Sequence, residues 1–450
     1  MRSVERFIKK LTSYNDKVAI IHEGKLISYN DLVERIINQM RLINEKGVRS
    51  NQLVFIIGDY SIEAIALFFA LALNKNVIIP VTTEIEAEIN ERLQESKPDW
   101  IFNLRLGVVE NLFEHEEKDR HVLIQGIKTQ NASGLLLFSS GSTGKPKAMV
   151  HNLDSLLESY LEKKTKMINF LVFLMFDHIG GLNTLLNCLS MGATITIPEN
   201  RRPDHVCELI EKYKVNVLPA SPTFLNLTLI SKAFEKYDVS SLLMVTYGTE
   251  PMPEALLIRL KDLLPRVKFM QTFGTSETGI AKTVSKSSTS TFLKIEDPDQ
   301  EFKIVNGELW LRSKTQILGY INHSNDCFTE DGWFKTGDLV EETNDGFLKI
   351  IGRSKEVINV GGEKVLPTEI ETVVIELPQV VDCKAKGVAN AITGQMVVVD
   401  VVLAYGSDPK VEKIVIRNHC RQRLDAYKVP AKINFVSELA FSDRFKKIRQ

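Results

Sequence analysis

An apolar run that ends in a loop of small polar residues most constrains what this chain can fold into. Leu135 to Phe138 are apolar and predict a buried strand. The loop follows at once and reads Ser139-Ser-Gly-Ser-Thr-Gly-Lys-Pro-Lys147. Glycine lets the backbone turn its N–H groups inward, hydroxyls donate hydrogen bonds, and lysines add positive charge. The loop therefore suits a polyphosphate.

Two other interpretations of this loop fit its residues less well than a phosphate site. The common nucleotide P-loop, G-x-x-x-x-G-K-[ST], is absent because Pro146 follows Lys145. A flexible Gly/Ser surface loop is the second interpretation. The strand in front of the loop and its Thr-Gly-Lys-Pro-Lys ending favour a phosphate site.

Composition places the chain among globular proteins with more than one domain. Its 450 residues exceed one typical core, and 44% hydrophobic with 25% charged residues is ordinary. A formal net charge of -1 favours neither nucleic acid nor an acidic membrane as a partner. The five cysteines show no C-x-x-C spacing, and the N-terminus lacks the apolar core of a signal peptide. We expect a soluble, cytoplasmic protein.

Helical and extended patterns alternate along the first two thirds of the chain. Strand Leu53–Ile57, helix Ser61–Leu73 and strand Asn76–Pro80 predict a βαβ unit and so a parallel sheet. The same alternation after residue 170 predicts a second α/β layer, which includes a helix at Pro222–Phe234. Periodic apolar residues also predict a helix that starts at Ser28 and is ended by Gly47, and a helix at Leu153–Glu162 after the phosphate loop. Residues 105–133 are polar and poorly patterned and are predicted to lie on the surface. Short strands with turn signals over residues 293–350 predict a small antiparallel, barrel-like unit.

A second motif, Gln271-Thr-Phe-Gly-Thr-Ser-Glu-Thr-Gly279, carries the remaining groups that a nucleotide needs. Phe273 offers a flat ring for adenine, and Gly274 lets the backbone turn beneath it. Ser276 can donate a hydrogen bond to an α-phosphate oxygen. Glu277 is a hard oxygen ligand, suited to Mg²⁺ on the phosphates.

In this order, the two motifs resemble those of the adenylate-forming enzymes, the ANL superfamily. That superfamily contains acyl- and aryl-CoA synthetases, adenylation domains of peptide synthetases, and luciferases. The resemblance extends to the loop after strand Leu242–Thr246, which packs on adenine in the family, although an ordinary strand–loop–helix junction explains it equally well. It also extends to a Thr-Gly-Asp motif that ends at Asp338, although a turn aspartate is the alternative there.

The resemblance implies a set of residues that bind ATP, with Asp338 and Arg353 on the ribose. They are Ser139, Ser140, Gly141, Ser142, Thr143, Gly144, Lys147, Gly248, Thr249, Glu250, Pro251, Thr272, Phe273, Gly274, Thr275, Ser276, Asp338 and Arg353.

The segment Phe176-Asp-His-Ile-Gly-Gly-Leu182 is similar to the aromatic–His–x-Gly-Gly segment with which the family's acyl pocket begins. His178 would gate the substrate carboxylate, and a packed histidine that satisfies a loop carbonyl is the alternative. Asp177 offers a partner for a substrate amine, as an aspartate near this position does in peptide synthetases. However, CoA ligases keep an aromatic residue at this place, which disfavours a contact between Asp177 and an amine.

Residues Gly352–Glu371 are similar to the family's hinge and the start of its mobile C-terminal domain. Lys355 occupies the hinge position, and Gly361 and Gly362 would form the loop that meets the incoming thiol. The predicted fold is thus α/β. The predicted core spans residues 1–354. It contains two α/β layers, at about 1–170 and 171–292, and a β subdomain at 293–352. A small α+β domain follows at 355–450.

The C-terminus departs from the family's pattern, in which a Gly-Lys motif supplies the catalytic lysine. Aligning Ser442 with the motif's usual threonine makes Lys446 that lysine, but Ala440 and Phe445 replace the usual proline and glycine. Lys447 is a second assignment, and a basic tail without a catalytic role is a third.

The resemblance implies ATP-dependent activation of a carboxylic acid to an acyl-adenylate, with release of pyrophosphate. Lys446, Glu277 and His178 would be the catalytic residues, and ATP, Mg²⁺ and coenzyme A the cofactors. Because no carrier domain follows within these 450 residues, we expect a separate thiol acceptor. Coenzyme A is the first candidate for this acceptor, and a carrier-protein pantetheine is the second. A weak or non-catalytic ATP-binding relative and an ATP-dependent phosphotransferase are the other hypotheses. Aliphatic, aryl and amino acids all remain open as the substrate, and a homodimer is possible.

Overall fold

The computed structural model describes residues 1–112, 120–139 and 145–441. Two groups of predicted site residues therefore lie outside the described residues. They are Ser140, Gly141, Ser142, Thr143 and Gly144 of the phosphate loop, and Lys446 with its alternative Lys447.

The described ranges contain 13 α-helices. They are α1 (Ser3–Thr12), α2 (Tyr29–Lys46), α3 (Ile62–Leu73), α4 (Glu86–Ser96), α5 (Val122–Thr129), α6 (Leu153–Glu158), α7 (Ile179–Ser190), α8 (Pro203–Tyr213), α9 (Pro222–Ile230), α10 (Ala233–Lys236), α11 (Glu254–Leu263), α12 (Pro367–Val374) and α13 (Pro409–Arg423). Among the described residues, no helix is both long and apolar enough to cross a membrane.

The same ranges contain 27 strands. They are β1 (Val18–His22), β2 (Lys25–Ser28), β3 (Leu53–Ile57), β4 (Val77–Val81), β5 (Trp100–Asn103), β6 (Val108–Asn111), β7 (Gly134–Ser139), β8 (Lys147–Asn152), β9 (Asn169–Leu171), β10 (Thr194–Ile197), β11 (Val217–Ala220), β12 (Met244–Tyr247), β13 (Lys268–Gln271), β14 (Phe273–Thr275), β15 (Gly279–Ala281), β16 (Thr283–Ser285), β17 (Leu293–Ile295), β18 (Gln300–Val305), β19 (Glu308–Ser313), β20 (Gly319–Tyr320), β21 (Phe334–Glu342), β22 (Leu348–Arg353), β23 (Ile358–Val360), β24 (Glu363–Val365), β25 (Val380–Asn390), β26 (Gly394–Leu403) and β27 (Lys432–Phe435).

Two seven-stranded sheets form the centre of the large domain. The first has the order β20-β8-β7-β4-β3-β5-β6, and its inner strands β7, β4, β3 and β5 run parallel. The second has the order β13-β12-β11-β9-β10-β1-β2 and is parallel from β13 to β1. The predicted βαβ unit is present as β3–α3–β4, with both strands buried along their whole length.

Alternating side chains of each inner strand enter different cores, which arranges the large domain in five layers. Val54 and Ile56 of β3 pack into the core between the two sheets, while Phe55 packs into the core on the outer face. Helix α3 lies in the middle layer, where ten of its twelve residues are buried. Each large apolar side chain buried there contributes about 1.5–3 kcal/mol. A sheet covered on both faces explains why these strands are apolar throughout rather than alternating.

The described residues from 283 to 353 contain a six-stranded antiparallel sheet of order β16-β17-β22-β21-β19-β18. This sheet overlaps the β subdomain predicted at 293–352, whose bounds stay a prediction, although strand β16 lies before residue 293. The last sheet consists of β23 to β27 and packs with α12 and α13 around its own apolar core. Asn226 of α9 donates a hydrogen bond to the carbonyl of Val381 at 3.1 Å, and Arg259 of α11 donates to that of Ile375 at 2.8 Å. These bonds join the large domain to the C-terminal unit.

The structure corrects four of the local predictions. Residues 105–133, predicted as surface, include β6 and helix α5, whose Ile124 and Ile127 are buried. The helix after the phosphate loop ends at Glu158 rather than at residue 162. The helix predicted from Pro222 to residue 234 is broken at Lys232, where φ is +57°. Hairpin β1–β2 joins the second sheet, so sheet membership does not follow a division at residue 170.

His151 on β8 makes folding stability sensitive to acid. It is 1% exposed, and neither ring nitrogen has a hydrogen-bond partner among the described residues. Burial lowers its pKa from 6.5 to about 4. Below pH 6.5 the unfolded chain therefore gains a proton that the folded protein takes up only near pH 4, so stability falls as the pH falls through this window.

We predict that His151→Leu makes the protein less sensitive to acid. Between pH 7 and pH 5, the wild-type protein should lose about 2 kcal/mol more unfolding free energy than His151→Leu, because one pKa unit corresponds to about 1.4 kcal/mol. Urea unfolding of both proteins at the two pH values measures this cost. Equal losses in the two proteins would contradict the prediction.

Candidate active site

The two ends of the phosphate loop face each other across a pair of antiparallel strands. Strands β7 and β8 pair with Ser139 opposite Lys147. Thus the first loop serine and the last loop lysine lie side by side where the loop leaves the sheet. The apolar run before the loop predicts β7, but no sequence signal predicts β8.

The loop predicted to contact adenine is packed closely against the start of the second motif. Strands β12 and β13 are parallel neighbours, and both the N–H and the hydroxyl of Thr272 donate hydrogen bonds to the Tyr247 carbonyl, at 2.7 and 3.1 Å. A Cβ at Gly248 would lie 2.6 Å from the Thr272 hydroxyl oxygen, so only glycine fits there. The structure therefore brings the predicted residues 248 and 272 into contact.

Thr249 holds a strained backbone conformation in this loop. Its φ is +74°, a region that β-branched residues rarely adopt. Such strain persists only where the surroundings enforce it, and it is concentrated at functional sites. The conformation supports a functional role for residues 248–251 over an ordinary strand–loop–helix junction.

Glu250 links this loop to the predicted substrate pocket. Its carboxylate accepts a hydrogen bond from the Thr223 N–H at 2.8 Å, in the first turn of α9. An acidic side chain at a helix N-terminus is stabilising. Glu250 therefore holds the loop beside residues 220–223, while its predicted part in nucleotide binding stays a proposal.

The second motif forms a tight hairpin of β14 and β15, with Ser276 and Glu277 in its turn. A Cβ at Gly274 would lie 2.5 Å from the Gly279 carbonyl oxygen, so the two strands approach closely only because residue 274 is glycine. Phe273 is half-buried against the core of the β subdomain. The hairpin thus fixes the position of Glu277 relative to that subdomain.

Tyr320 connects Glu277 to the phosphate loop. The Tyr320 hydroxyl donates a hydrogen bond to Glu277 Oε1 at 2.7 Å, and the Lys147 ammonium lies 5.5 Å from the centre of the Tyr320 ring. Burial, followed by the charge of Glu277, raises the pKa of the Tyr320 hydroxyl, so it remains protonated and donates. Tyr320 is not among the predicted site residues, because its only signal in the sequence is a Gly-Tyr pair in a stretch with no predicted element.

Asp338 and Arg353, the two predicted ribose ligands, lie opposite each other on β21 and β22. Arg353 Nε is 3.0 Å from Asp338 Oδ1. Asp338 is 5% exposed, whereas the arginine side chain is more than half exposed. The arginine thus neutralises a buried carboxylate from the solvent side, and the structure brings the predicted pair together.

His178 caps helix α7. Its Nδ1 accepts a hydrogen bond from the Gly180 N–H at 3.0 Å, so the neutral ring carries its proton on Nε2. This bond occupies Nδ1 only, so the two predicted roles of His178, a gate for the substrate carboxylate and a partner of a loop carbonyl, both stay predictions. Neighbouring Asp177 is 5% exposed and accepts from the Thr82 N–H at 3.4 Å. Burial beside the end of β4 gives no support to a contact between Asp177 and a substrate amine.

The predicted hinge and thiol loop lie at the start of the C-terminal sheet. Lys355 is exposed and lies in a short 3₁₀ turn. The ring of His323 packs edge-on against Tyr320. The pKa of His323 is lowered first by burial and then by the positive charges of Lys147 and Lys355. Gly361 and Gly362 turn the β23–β24 hairpin with φ of +61° and +95°. A Cβ at Gly362 would meet nothing within 4 Å, so this turn is open in the present arrangement.

The residues present fit a magnesium ion that comes with the nucleotide. Within residues 1–112, 120–139 and 145–441, no group of three or more His, Cys, Asp or Glu side chains could hold a metal. Mg²⁺ is usually held by one or two carboxylates together with substrate phosphates. Half-buried Glu277, oriented through one oxygen by Tyr320, is a carboxylate of that kind.

Comparison with known proteins identifies the family. The family model for the AMP-binding enzyme matches residues 7–321, and that for the AMP-binding enzyme C-terminal domain matches residues 369–446. The chain therefore belongs to the AMP-binding enzyme family, as the resemblance to adenylate-forming enzymes predicted.

Individual relatives agree with this assignment. Acyl-CoA synthetase 7 of Caenorhabditis elegans is 31% identical over 361 residues, which covers 74% of this chain and 67% of that protein. The 4-coumarate–CoA ligase-like 3 of Arabidopsis thaliana is 24% identical over 486 residues, covering 95% and 87%. The structure of the anthranilate CoA ligase AuaEII in complex with anthranoyl-AMP has the same fold, with a TM-score of 0.83 at 20% identity over 99% of this chain and 95% of that one.

These findings confirm the predicted α/β fold and enzyme class. The protein is an AMP-forming ligase of the acyl-CoA synthetase type, which uses ATP to activate a carboxylic acid.

Proposed function

We propose that this protein joins a small or medium-sized carboxylic acid to the thiol of coenzyme A through an acyl-adenylate. The observation that carries the proposal is the meeting of both motifs at Tyr320, where Lys147 of the first motif and Glu277 of the second contact the same side chain. In this proposal the Lys147 cation binds the polyphosphate, and the Glu277 carboxylate binds the metal ion that accompanies it.

The first half-reaction requires the α-phosphate to accept a nucleophile. The substrate carboxylate attacks phosphorus, the bond to pyrophosphate breaks, and negative charge on the phosphate oxygens must be stabilised. Lys147 supplies positive charge at the phosphate-loop end, Ser276 donates a hydrogen bond, and Asp338 with Arg353 holds the ribose. Mg²⁺, when bound at Glu277, neutralises further phosphate charge. Lys446 is proposed from the sequence alone as the group that contacts both the carboxylate and the α-phosphate.

The second half-reaction transfers the acyl group from AMP to a thiol. AMP is the better leaving group, so the thiol attacks the adenylate carbonyl and AMP departs. We propose a domain boundary at Lys355, about which the C-terminal unit turns to bring Gly361 and Gly362 towards the adenylate. The space beside Gly362 in the structure supports this proposal, because an added Cβ there would meet nothing within 4 Å.

Relatives support coenzyme A as the acceptor over a carrier protein. Acyl-CoA synthetase 7 and 4-coumarate–CoA ligase-like 3 are both named for coenzyme A chemistry. We also propose that the enzyme works in the reducing cytoplasm, because its five cysteines are scattered without C-x-x-C spacing and four of them are buried.

ATP–pyrophosphate exchange tests the proposed function. A panel of aliphatic, aryl and amino acids is screened with the wild-type protein, Lys446→Ala and Lys447→Ala, and products are identified after addition of coenzyme A. We expect an acid-dependent signal that is lost in Lys446→Ala alone, followed by formation of AMP and a thioester. ADP as the product would indicate phosphoryl transfer instead, and ATP binding without exchange for any acid would favour a non-catalytic relative.

A further inference from the structure

We propose that Tyr320 is a positioning residue that fixes the Glu277 carboxylate for the magnesium–nucleotide complex. The inference rests on the proposed function and adds a residue that neither sequence motif contains. It follows from how the tyrosine is held and from what its two ends contact.

The hydroxyl end of Tyr320 meets the carboxylate directly. Its hydrogen bond to Glu277 Oε1 is 2.7 Å long, and the tyrosine is 3% exposed. A hydrogen bond to a charged acceptor in a site shielded from water is among the stronger kinds. The Glu277 carbonyl also accepts from the Ile317 N–H at 2.8 Å, so the segment before Tyr320 holds the glutamate backbone as well.

The tyrosine itself is held against the strand that leaves the phosphate loop. Strand β20 pairs antiparallel with β8, with Tyr320 opposite Met149. Asn325 Oδ1 accepts from the Tyr320 N–H at 3.0 Å. Asn322 accepts from the Ala148 N–H and donates to the Pro146 carbonyl, both at 2.9 Å. The position of the hydroxyl is thus set by the last residues of the loop.

The ring of Tyr320 contacts the cation of the same loop. At 5.5 Å from the ring centre, the Lys147 ammonium is within the range of a cation–π interaction. One side chain therefore sets the place of both a phosphate-binding cation and a metal-binding carboxylate.

Residues that orient a metal ligand typically change metal affinity 10- to 100-fold when they are mutated, because the freed ligand must be ordered on binding. Tyr320→Phe removes the hydroxyl and keeps the ring that packs on Lys147. We expect it to weaken binding of the magnesium complex of α,β-methylene-ATP, which cannot be cleaved to an adenylate, by about 10-fold. Binding of the same analogue in EDTA should change less than about twofold, since the Lys147 contact remains.

Isothermal titration calorimetry of the full chain, with Mg²⁺ or with EDTA, measures both affinities. Tyr160→Phe is the matched control, because it deletes another buried tyrosine hydroxyl, one that bonds to the Asn183 side chain at 3.0 Å. It should leave both affinities unchanged. In a Glu277→Gln background, Tyr320→Phe should cause no further loss of the magnesium-dependent affinity, because its effect acts through the carboxylate.

Two results would overturn the positioning role. One is an equal loss of affinity with Mg²⁺ and in EDTA, which would show a general structural effect. The other is an undiminished loss in the Glu277→Gln background. A wild-type protein that binds the analogue without any effect of Mg²⁺ would overturn this inference alone, whereas a wild-type protein that binds no nucleotide would overturn the proposed function with it.

Discussion

Glu277→Gln should lower acid-dependent ATP–pyrophosphate exchange about 100-fold or more while leaving the fold intact. The amide oxygen of glutamine can still accept the Tyr320 hydrogen bond, so the hairpin turn keeps its main contact. What is lost is the negative charge that binds Mg²⁺ and, through it, the stabilisation of phosphate charge in the transition state.

A matched control is available in the neighbouring β subdomain. Glu301 on β18 is exposed and forms an ion pair with Arg312. Exposed pairs contribute about 0–1 kcal/mol, so Glu301→Gln should leave both exchange and thermal unfolding nearly unchanged. The comparison uses initial exchange rates across a range of Mg²⁺ concentrations. Wild-type rates in Glu277→Gln would remove Glu277 from the site, and a matching drop in melting temperature would point to misfolding.

Local sequence patterns predicted the parts of the fold that local forces determine. Strand β3 was predicted with its observed ends, and helix α3 within one residue. Helix α2 was predicted from Ser28, which caps it by accepting from the Asp31 N–H at 3.0 Å, to Gly47 with φ of +85°. In each case the signal lies within a few neighbouring residues.

Parts of the site that depend on distant pairing left no such signal. Strand β20 has two residues and pairs with β8 about 170 positions earlier, so neither periodicity nor turn chemistry marks it. The Tyr320–Glu277 bond depends on that pairing and was therefore missed. Helix α5 was missed because only Ile124 and Ile127 of its short span are buried, too few for a helical pattern.

The family motifs identify the candidate site residues, but packing between distant strands determines the relative positions of those residues. Asp338 and Arg353 belong to separate motifs, and both are predicted to bind the ribose. The register of β21 with β22 places them opposite each other. Gly274 was predicted to let the backbone turn under adenine. In the structure it also permits the close approach of β14 to β15, which the sequence could not show because the neighbour is five residues away across a turn.

Gly274→Ala tests whether this close approach positions the catalytic groups. The added Cβ would lie 2.5 Å from the Gly279 carbonyl oxygen and 2.6 Å from Ile280 Cα, both backbone atoms that cannot move aside alone. The hairpin must therefore open, which should cost about 1–3 kcal/mol of stability and displace the turn that carries Ser276 and Glu277. We expect pyrophosphate exchange to fall about 100-fold, since small misplacements of reacting groups cost that much.

Gly126→Ala provides the control, because the same added Cβ meets nothing within 4 Å in helix α5. It should stabilise the protein by about 0.5–1 kcal/mol and leave exchange unchanged, since alanine is the better helix former. Urea unfolding and exchange kinetics on both variants separate the effects. If Gly274→Ala loses stability but retains full exchange, then the hairpin does not set the position of Glu277, and the magnesium–nucleotide complex must be positioned by other residues.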